Sequence, residues 1–199
     1  MKKVVFLALA VALSLALNAQ TKLNADELFY SQHSDEIMKM FNDECPVLEL
    51  GDGEGQVFEY GLVDFDGDGI KELWVREVIA ENGAFFCRGG DKLEIIATTW
   101  FKSFVTVNGN VVCASGSAGT GAFFTSYFVI ENSSIAHQAS DIKICNLKGK
   151  FEHECEFDGT EVPWKWFNSN YEKKYVKGLV PPQNDEWFPF DRLTGADKQ

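Results

Sequence analysis

Acidic side chains recur at short spacing in one stretch of the chain, DFDGDGIKEL, at residues 64–73. Three aspartates stand on alternate residues, a glycine follows the third, and a glutamate comes three residues after that glycine. Alternate acids on a tightly turning loop direct their oxygen atoms toward one point, and Ca²⁺ takes about six to eight oxygen ligands. The spacing therefore predicts a calcium site in this loop. Its expected ligands are the side chains of Asp64, Asp66, Asp68 and Glu72 and the main-chain carbonyl of Ile70.

The alternative for this stretch is a solvated turn without an ion, because Asp and Gly are common turn residues. Repulsion between the carboxylates argues against that alternative. Carboxylates this close together, with no cation between them, would disfavour a compact loop or raise their own pKa values. We therefore expect a cation that acts as a structural staple.

The stretch differs from an EF-hand, because Val75 occupies the position of the glutamate that closes an EF-hand loop. It resembles instead the calcium loops of FG-GAP and integrin-like β repeats, in which D-x-D-x-D-G-x-x-D/E-L lies between two strands. The resemblance covers residues 56–79 and implies a calcium loop in that setting. The sequence contains one such copy, so neither a β-propeller nor integrin-type ligand binding is implied. The matching positions are Asp64, Asp66, Asp68, Gly69, Glu72 and Leu73.

Tryptophans form a second candidate site. Trp164 and Trp166 stand two residues apart, which would place them on one strand face, and Trp187 could join them. Exposed tryptophans in one plane can stack on sugars. The competing interpretation is a hydrophobic lid that closes the sheet, and we favour the lid because large aromatic residues dominate protein cores.

Five cysteines allow a disulfide if the chain is exported, although an odd number leaves at least one thiol unpaired. The best candidate pair is Cys145 with Cys155, because Lys148-Gly149 between them is a hairpin turn signal. No C-x-x-C spacing occurs, so a zinc site has no support.

A cysteine and a histidine also share one predicted strand face, in the stretch HEC that contains His153 and Cys155. Such a pair can serve catalysis or bind a metal, but no third catalytic residue is evident nearby. A disulfide or a core thiol explains Cys155 more simply.

The first nineteen residues have the layout of a secretory signal peptide: Lys2 and Lys3, an apolar run, and a small residue at Ala19. No cysteine follows this leader until Cys45, so we expect a secreted or periplasmic protein without a lipid anchor. Removing the two lysines changes the formal charge from −12 to −14, which argues against nucleic acid or an anionic membrane as a partner. No later stretch has the length and apolar character of a membrane span.

Hydrophobic residues make up 45% of the full sequence. Residues 20–199 contain no evident linker, which predicts a single domain. A helix is predicted over 25–41, with Asn24 as N-cap, Glu27 completing a capping box, and an apolar stripe that includes Phe29, Ile37 and Phe41. A short helix is predicted to start at Asn168. Strands are predicted near 56–63, 72–79, 84–88, 92–101, 103–107, 110–114, 122–131, 134–145 and 150–157.

Two-residue turn signals between most of these strands predict an antiparallel meander of hairpins. The fold class expected is mainly β, of the α+β type, with an N-terminal amphipathic helix and a short C-terminal helix. For function, we expect a secreted, non-enzymatic binding or surface-associated module stabilised by Ca²⁺. The alternatives are an exported hydrolase that uses acidic residues or the Cys/His pair, and a glycan-binding or inhibitor-like protein-binding module. The partner, a protein or a glycan, is not specified by the sequence.

Overall fold

The structure is a computed structural model that describes residues 23–45, 56–79, 82–99, 103–184 and 186–195. The predicted signal peptide, residues 1–19, lies outside the described residues, as do the last two residues of the strand predicted over 92–101. In the described part of the chain, no helix is long and apolar enough to cross a bilayer.

Two helices open the described chain, α1 at Ala25–Gln32 and α2 at Ser34–Glu44. The capping box is confirmed, because the Asn24 side chain accepts from the Glu27 N–H and the Glu27 side chain accepts from the Asn24 N–H. The single predicted helix is divided at His33, whose backbone leaves the helical region at φ −109° and ψ 13°. The predicted apolar stripe is nonetheless continuous across the division, and all three of its residues are buried.

Within the described residues, eleven strands form two antiparallel sheets. In chain order they are β1 Phe58–Val63, β2 Glu72–Glu77, β3 Gly83–Gly89, β4 Lys92–Thr99, β5 Ser103–Asn108, β6 Val111–Gly119, β7 Ala122–Glu131, β8 Ser134–Cys145, β9 Phe151–Phe157, β10 Thr160–Val162 and β11 Phe188–Pro189. The first sheet has the order β11-β1-β2-β3-β4 and the second has the order β10-β9-β8-β7-β6-β5. The predicted fold class, mainly β with hairpin connections, is confirmed.

A C-terminal helical segment covers part of the second sheet. It consists of α3 Trp164–Phe167, a π-helical turn Asn168–Glu172, α4 Lys173–Tyr175 and a 3₁₀ turn Val176–Gly178. The helix predicted to begin at Asn168 therefore begins earlier, at Trp164. Pro163, which has extended backbone, immediately precedes its first turn. A last short helix, α5, spans Asp191–Thr194.

Three clusters of buried side chains from the described part of the chain hold these layers together. The first lies between the helix pair and the first sheet and includes Ile37 and Phe41. The second lies between the two sheets and includes Phe65 and Phe128. The third lies between the second sheet and the C-terminal segment, around Tyr127. The acidic loop between β1 and β2 is therefore attached to the core that the two sheets share, through Phe65.

Candidate metal centre

The acidic loop is the connection of the β1–β2 hairpin, which closes at the register pair Val63 and Glu72. Its side chains alternate in direction. Phe65 is buried in the core between the sheets, and its ring lies 5.6 Å from that of Phe85. Asp64 and Asp68 are exposed, and Asp66 is half-buried. The buried ring therefore anchors the loop while the acids on either side of it remain available.

Backbone N–H groups of the loop donate to its aspartates and fix their orientation. Asp64 accepts from Gly67 at 2.7 Å and from Gly69 at 3.1 Å. Asp66 accepts from the Asp68 N–H at 3.1 Å, and Asp68 accepts from the N–H of Ile70 at 2.6 Å. These short-range bonds curl the backbone around the carboxylates.

Three carboxylates converge as a result. Asp64, Asp66 and Asp68 each offer an oxygen, and the three oxygens lie within 4.8 Å of one another. Gly69 has φ +87°, a left-handed conformation that glycine adopts without steric cost. The loop therefore brings together three of the five predicted ligands in an arrangement that could hold a metal ion.

Glu72 lies beside this group rather than within it. It is fully buried, and its Oε2 accepts from the Phe65 N–H at 2.8 Å. Its Oε1 is also buried and has no hydrogen-bond partner among the described residues. Burial, with a smaller contribution from the Asp66 charge, raises the pKa of this carboxyl to about 7, although the hydrogen bond from the Phe65 N–H opposes the shift. A buried carboxylate oxygen without a donor is costly unless a cation or a proton reaches it, which fits a site that takes a hard cation.

A turn from the second sheet also contacts the loop, and no local sequence pattern predicts this contact. The Ser133 N–H, in the turn between β7 and β8, donates to Asp66 Oδ2 at 3.3 Å. The Ser133 hydroxyl is buried without a hydrogen bond of ordinary geometry, but it lies near enough to Glu72 to lower the pKa of that carboxyl. The pair Asn132-Ser133 is a turn signal in the sequence, and the two residues have φ values of 52° and 53° in the structure. Its contact with the distant acidic loop is not predictable from that local signal.

Helix α1 fixes the last residue of the loop. The N–H of Lys71 donates to Asp26 Oδ2 at 3.3 Å, and the Lys71 carbonyl accepts from the Tyr30 hydroxyl at 3.0 Å. The loop that connects β1 and β2 is therefore contacted from outside by α1 and by the β7–β8 turn.

The tryptophans do not form the predicted common face. Trp164 and Trp166 lie on α3 rather than on a strand, because Pro163 starts a helical turn at that point. The Trp164 ring stacks on His153, with centroids 3.7 Å apart, while Trp166 is 37% exposed. Trp187 contacts the first sheet instead, where its ring lies 4.8 Å from that of Trp74. The shared-face prediction was wrong.

The predicted disulfide is not formed, since Cys145 and Cys155 are both free thiols. The β8–β9 register places Cys145 opposite Phe151 and places Cys155 opposite Asp141. The two cysteines are therefore four register positions apart, about 13 Å along the strands, which no disulfide can span. The hairpin was predicted correctly, but its register separates the thiols.

His153 and Cys155 share a strand face as expected, and a buried aspartate lies between them. Asp141 accepts from the Cys155 thiol at 3.3 Å, and its other oxygen lies 2.8 Å from His153 Nδ1. Burial, together with the Asp141 carboxylate, raises the pKa of the Cys155 thiol to about 12. A catalytic cysteine needs a lowered thiol pKa and a histidine in contact with the sulfur, so this geometry is that of a structural thiol.

Comparisons with protein-family models, curated proteins and solved structures give no match to this chain. The assignment of a function therefore depends on the geometry of the loop and on the rest of the described surface.

Proposed function

We propose that the chain is a secreted, non-enzymatic binding or surface-associated module whose acidic loop binds Ca²⁺ as a structural ion. The observation that carries the proposal is the convergence of the three aspartate oxygens within 4.8 Å in a loop anchored by Phe65. Secretion is inferred from the leader-like first nineteen residues.

Calcium is favoured over other cations by the donor set. The converging side chains supply oxygen atoms, with neither sulfur nor nitrogen, which suits a hard cation rather than Zn²⁺. Mg²⁺ requires near-ideal octahedral geometry and usually keeps several waters, whereas Ca²⁺ accepts irregular, crowded carboxylate loops. The Ile70 carbonyl and Glu72 are the residues of this chain that would add to the three aspartates.

The role proposed for the ion is to stabilise the junction of the two sheets. Asp66 accepts from the β7–β8 turn, and Phe65 lies in the core between the sheets, so a cation that fixes the loop also fixes that contact. With affinity in the range of extracellular modules, about 10⁻⁴ to 10⁻³ M, millimolar Ca²⁺ adds about 1 kcal/mol to the free energy of unfolding. For a chain of this size, that corresponds to a rise of about 2–4 °C in Tm.

Thermal unfolding of the mature chain tests this proposal. In 2 mM CaCl₂ the Tm should rise by about 2–4 °C relative to EDTA, and Asp66→Asn should lose that rise because it removes one carboxylate from the group. Asp91→Asn is the matched control, since Asp91 is an exposed acid in the β3–β4 turn and the charge change is identical. Equal Tm values for the wild-type protein in Ca²⁺ and EDTA, or an equal rise in both variants, would exclude a structural ion in the loop.

A further inference from the structure

A groove on the second sheet is a separate feature from the acidic loop. Its volume is about 420 Å³, and it is lined by side chains of β5, β6 and β7. The rings of Phe104 and Phe123 stand in it 67% and 50% exposed, which is unusual for phenylalanine. No charged side chain lines the groove among the described residues, although the chain carries a formal charge of −12.

The groove is the uncovered continuation of a buried sheet face. Ser115 pairs with Phe104 on one side and with Thr125 on the other, so these three side chains share a face. Two residues away on the same face, Cys113 and Tyr127 are 2% and 1% exposed beneath the C-terminal segment. The segment therefore covers half of the face and leaves the half with Phe104 and Phe123 open.

The floor of the groove offers hydroxyl groups that bond to none of the described residues. Ser115 and Thr125 lie opposite each other on β6 and β7, with Cβ atoms about 5 Å apart. Neither hydroxyl makes a hydrogen bond with another described residue. The Ser117 hydroxyl is different, because it contacts the carbonyl and the N–H of Gly119. The groove thus combines two exposed aromatic rings with two adjacent hydroxyls that can donate or accept.

We propose that this groove binds a neutral saccharide. Aromatic faces carry a negative potential that attracts polarised C–H groups, such as those on the apolar face of a sugar ring, and the free hydroxyls can bond to the sugar hydroxyls. A purely apolar ligand would leave the hydroxyls of Ser115 and Thr125 without partners at a cost in affinity. A charged ligand would find no counter-charge in the lining. The inference rests on the proposed role as a binding module, and it assigns the ligand site to the groove rather than to the tryptophans.

The dimensions favour a short oligosaccharide over a single sugar. Phe104 and Phe123 stand on β5 and β7, which are two strand spacings, about 10 Å, apart with β6 between them. A volume of about 420 Å³ lies within the range of small-molecule sites, about 300–1,000 Å³.

The test uses the full mature chain in 2 mM CaCl₂ and a panel of immobilised neutral hexasaccharides: cello-, malto-, xylo-, manno- and laminarihexaose. Titration calorimetry then measures Kd for the hexasaccharide that binds best. We expect Phe104→Ala and Phe123→Ala each to weaken that Kd by about tenfold or more, since each removes one stacking ring. Phe151→Ala is the matched control, because Phe151 is also exposed, at 47%, but lies outside the groove. It should leave the Kd unchanged.

Four results would overturn the assignment. They are an absence of binding to every member of the panel, binding unaffected by either groove variant, binding lost in Trp166→Ala instead, or a wild-type dimer that Phe104→Ala converts to monomer. The heat of Ca²⁺ binding is measured on the same samples, so a failure of the saccharide assignment is distinguishable from a failure of the calcium proposal. Phe104 and Phe123 are largely exposed, and a circular dichroism melt of each variant verifies that it folds.

Discussion

Glu72 illustrates how a single residue links the acidic loop to the sheet. It begins β2, and its Oε2 accepts from the Phe65 N–H across the loop. Its side chain is fully buried, and its second oxygen has no hydrogen bond of ordinary geometry from any described residue. Proteins tolerate such groups mainly where a function compensates for the cost of burial. The simplest compensation at this position is a cation held by the neighbouring aspartates.

The five cysteines allow a prediction at the residue scale. Cys145 is exposed, whereas the other four are buried. Burial raises the thiol pKa of Cys113 to about 11 and those of Cys45, Cys87 and Cys155 to about 12. In the native protein at neutral pH, we expect a thiol reagent to label one cysteine rapidly, and Cys145→Ser to abolish that labelling.

The total thiol content provides the complementary measurement. In denaturant without reductant, all five cysteines should react, because all five thiols are free. A total of three reactive thiols would mean that two of the cysteines form a disulfide, which would contradict the structure.

Asp158 gives a prediction about pH. Its pKa is lowered, chiefly by the hydrogen bond from the Gln138 N–H and then by His137, whose Nδ1 lies 2.9 Å from Asp158 Oδ2. A carboxyl whose pKa is lower in the folded state stabilises the protein above its unfolded pKa of about 4 and loses that contribution as the pH falls through the folded value. Asp158→Asn should therefore be less stable than the wild type at about pH 5–7, and the difference should shrink as the pH falls below about 4 and through the lowered folded-state pKa.

Melting temperatures of both proteins across this pH range measure the effect. Asn tolerates the positive φ of 48° at this position, so backbone strain does not confuse the comparison. A difference in Tm that stays constant from pH 7 to pH 3 would contradict the assigned pKa shift.

At the scale of elements, α2 stabilises the first sheet through one face. Phe41 is fully buried, and its ring meets that of Phe58 edge to face, with centroids 5.4 Å apart. Phe41→Ala should cost about 3–5 kcal/mol of unfolding free energy, measured by urea denaturation. Leu28→Ala on α1 is the control, because Leu28 is 51% exposed and its loss should change the free energy by less than about 0.5 kcal/mol. Comparable losses in both variants would mean that α2 does not pack as described.

The strands were the elements best predicted from sequence. Turn pairs such as Asn108-Gly109 and Asn132-Ser133 mark hairpin ends, and the alternation between them is local information. The helical turn at Trp164–Phe167 was missed because the pattern WKWF alternates as a strand does, and tertiary contacts decide the conformation of so short a segment. The division into two sheets was also missed. Whether β4 and β5 pair with each other depends on packing between distant residues.

The candidate site was predictable to a similar extent. The spacing of the aspartates was sufficient to identify the group that converges in the structure. The burial of Glu72 and the contact from Ser133 were not predictable, because both depend on how the second sheet packs against the loop. The groove beside Phe104 was not predicted either, since the sequence alone could not show that the C-terminal segment covers only half of the face.

For the whole molecule, the acidic loop lies where three parts of the fold meet. Helix α1 contacts it through Asp26, the core between the sheets holds Phe65, and the β7–β8 turn donates to Asp66. The chain carries an excess of negative charge, which disfavours a compact state through self-repulsion. A bound divalent cation would reduce that repulsion at the acidic loop, so its stabilising effect would extend to the packing of the two sheets.

Isothermal titration calorimetry of CaCl₂ into the metal-free mature chain at pH 7 tests the central claim most directly. We predict one saturable binding event per chain, with Kd of about 10⁻⁴ to 10⁻³ M, that is absent from Asp66→Asn and retained by Asp91→Asn. The absence of saturable heat up to about 10 mM Ca²⁺, tenfold above the weakest affinity expected, would show that the loop is a turn without an ion.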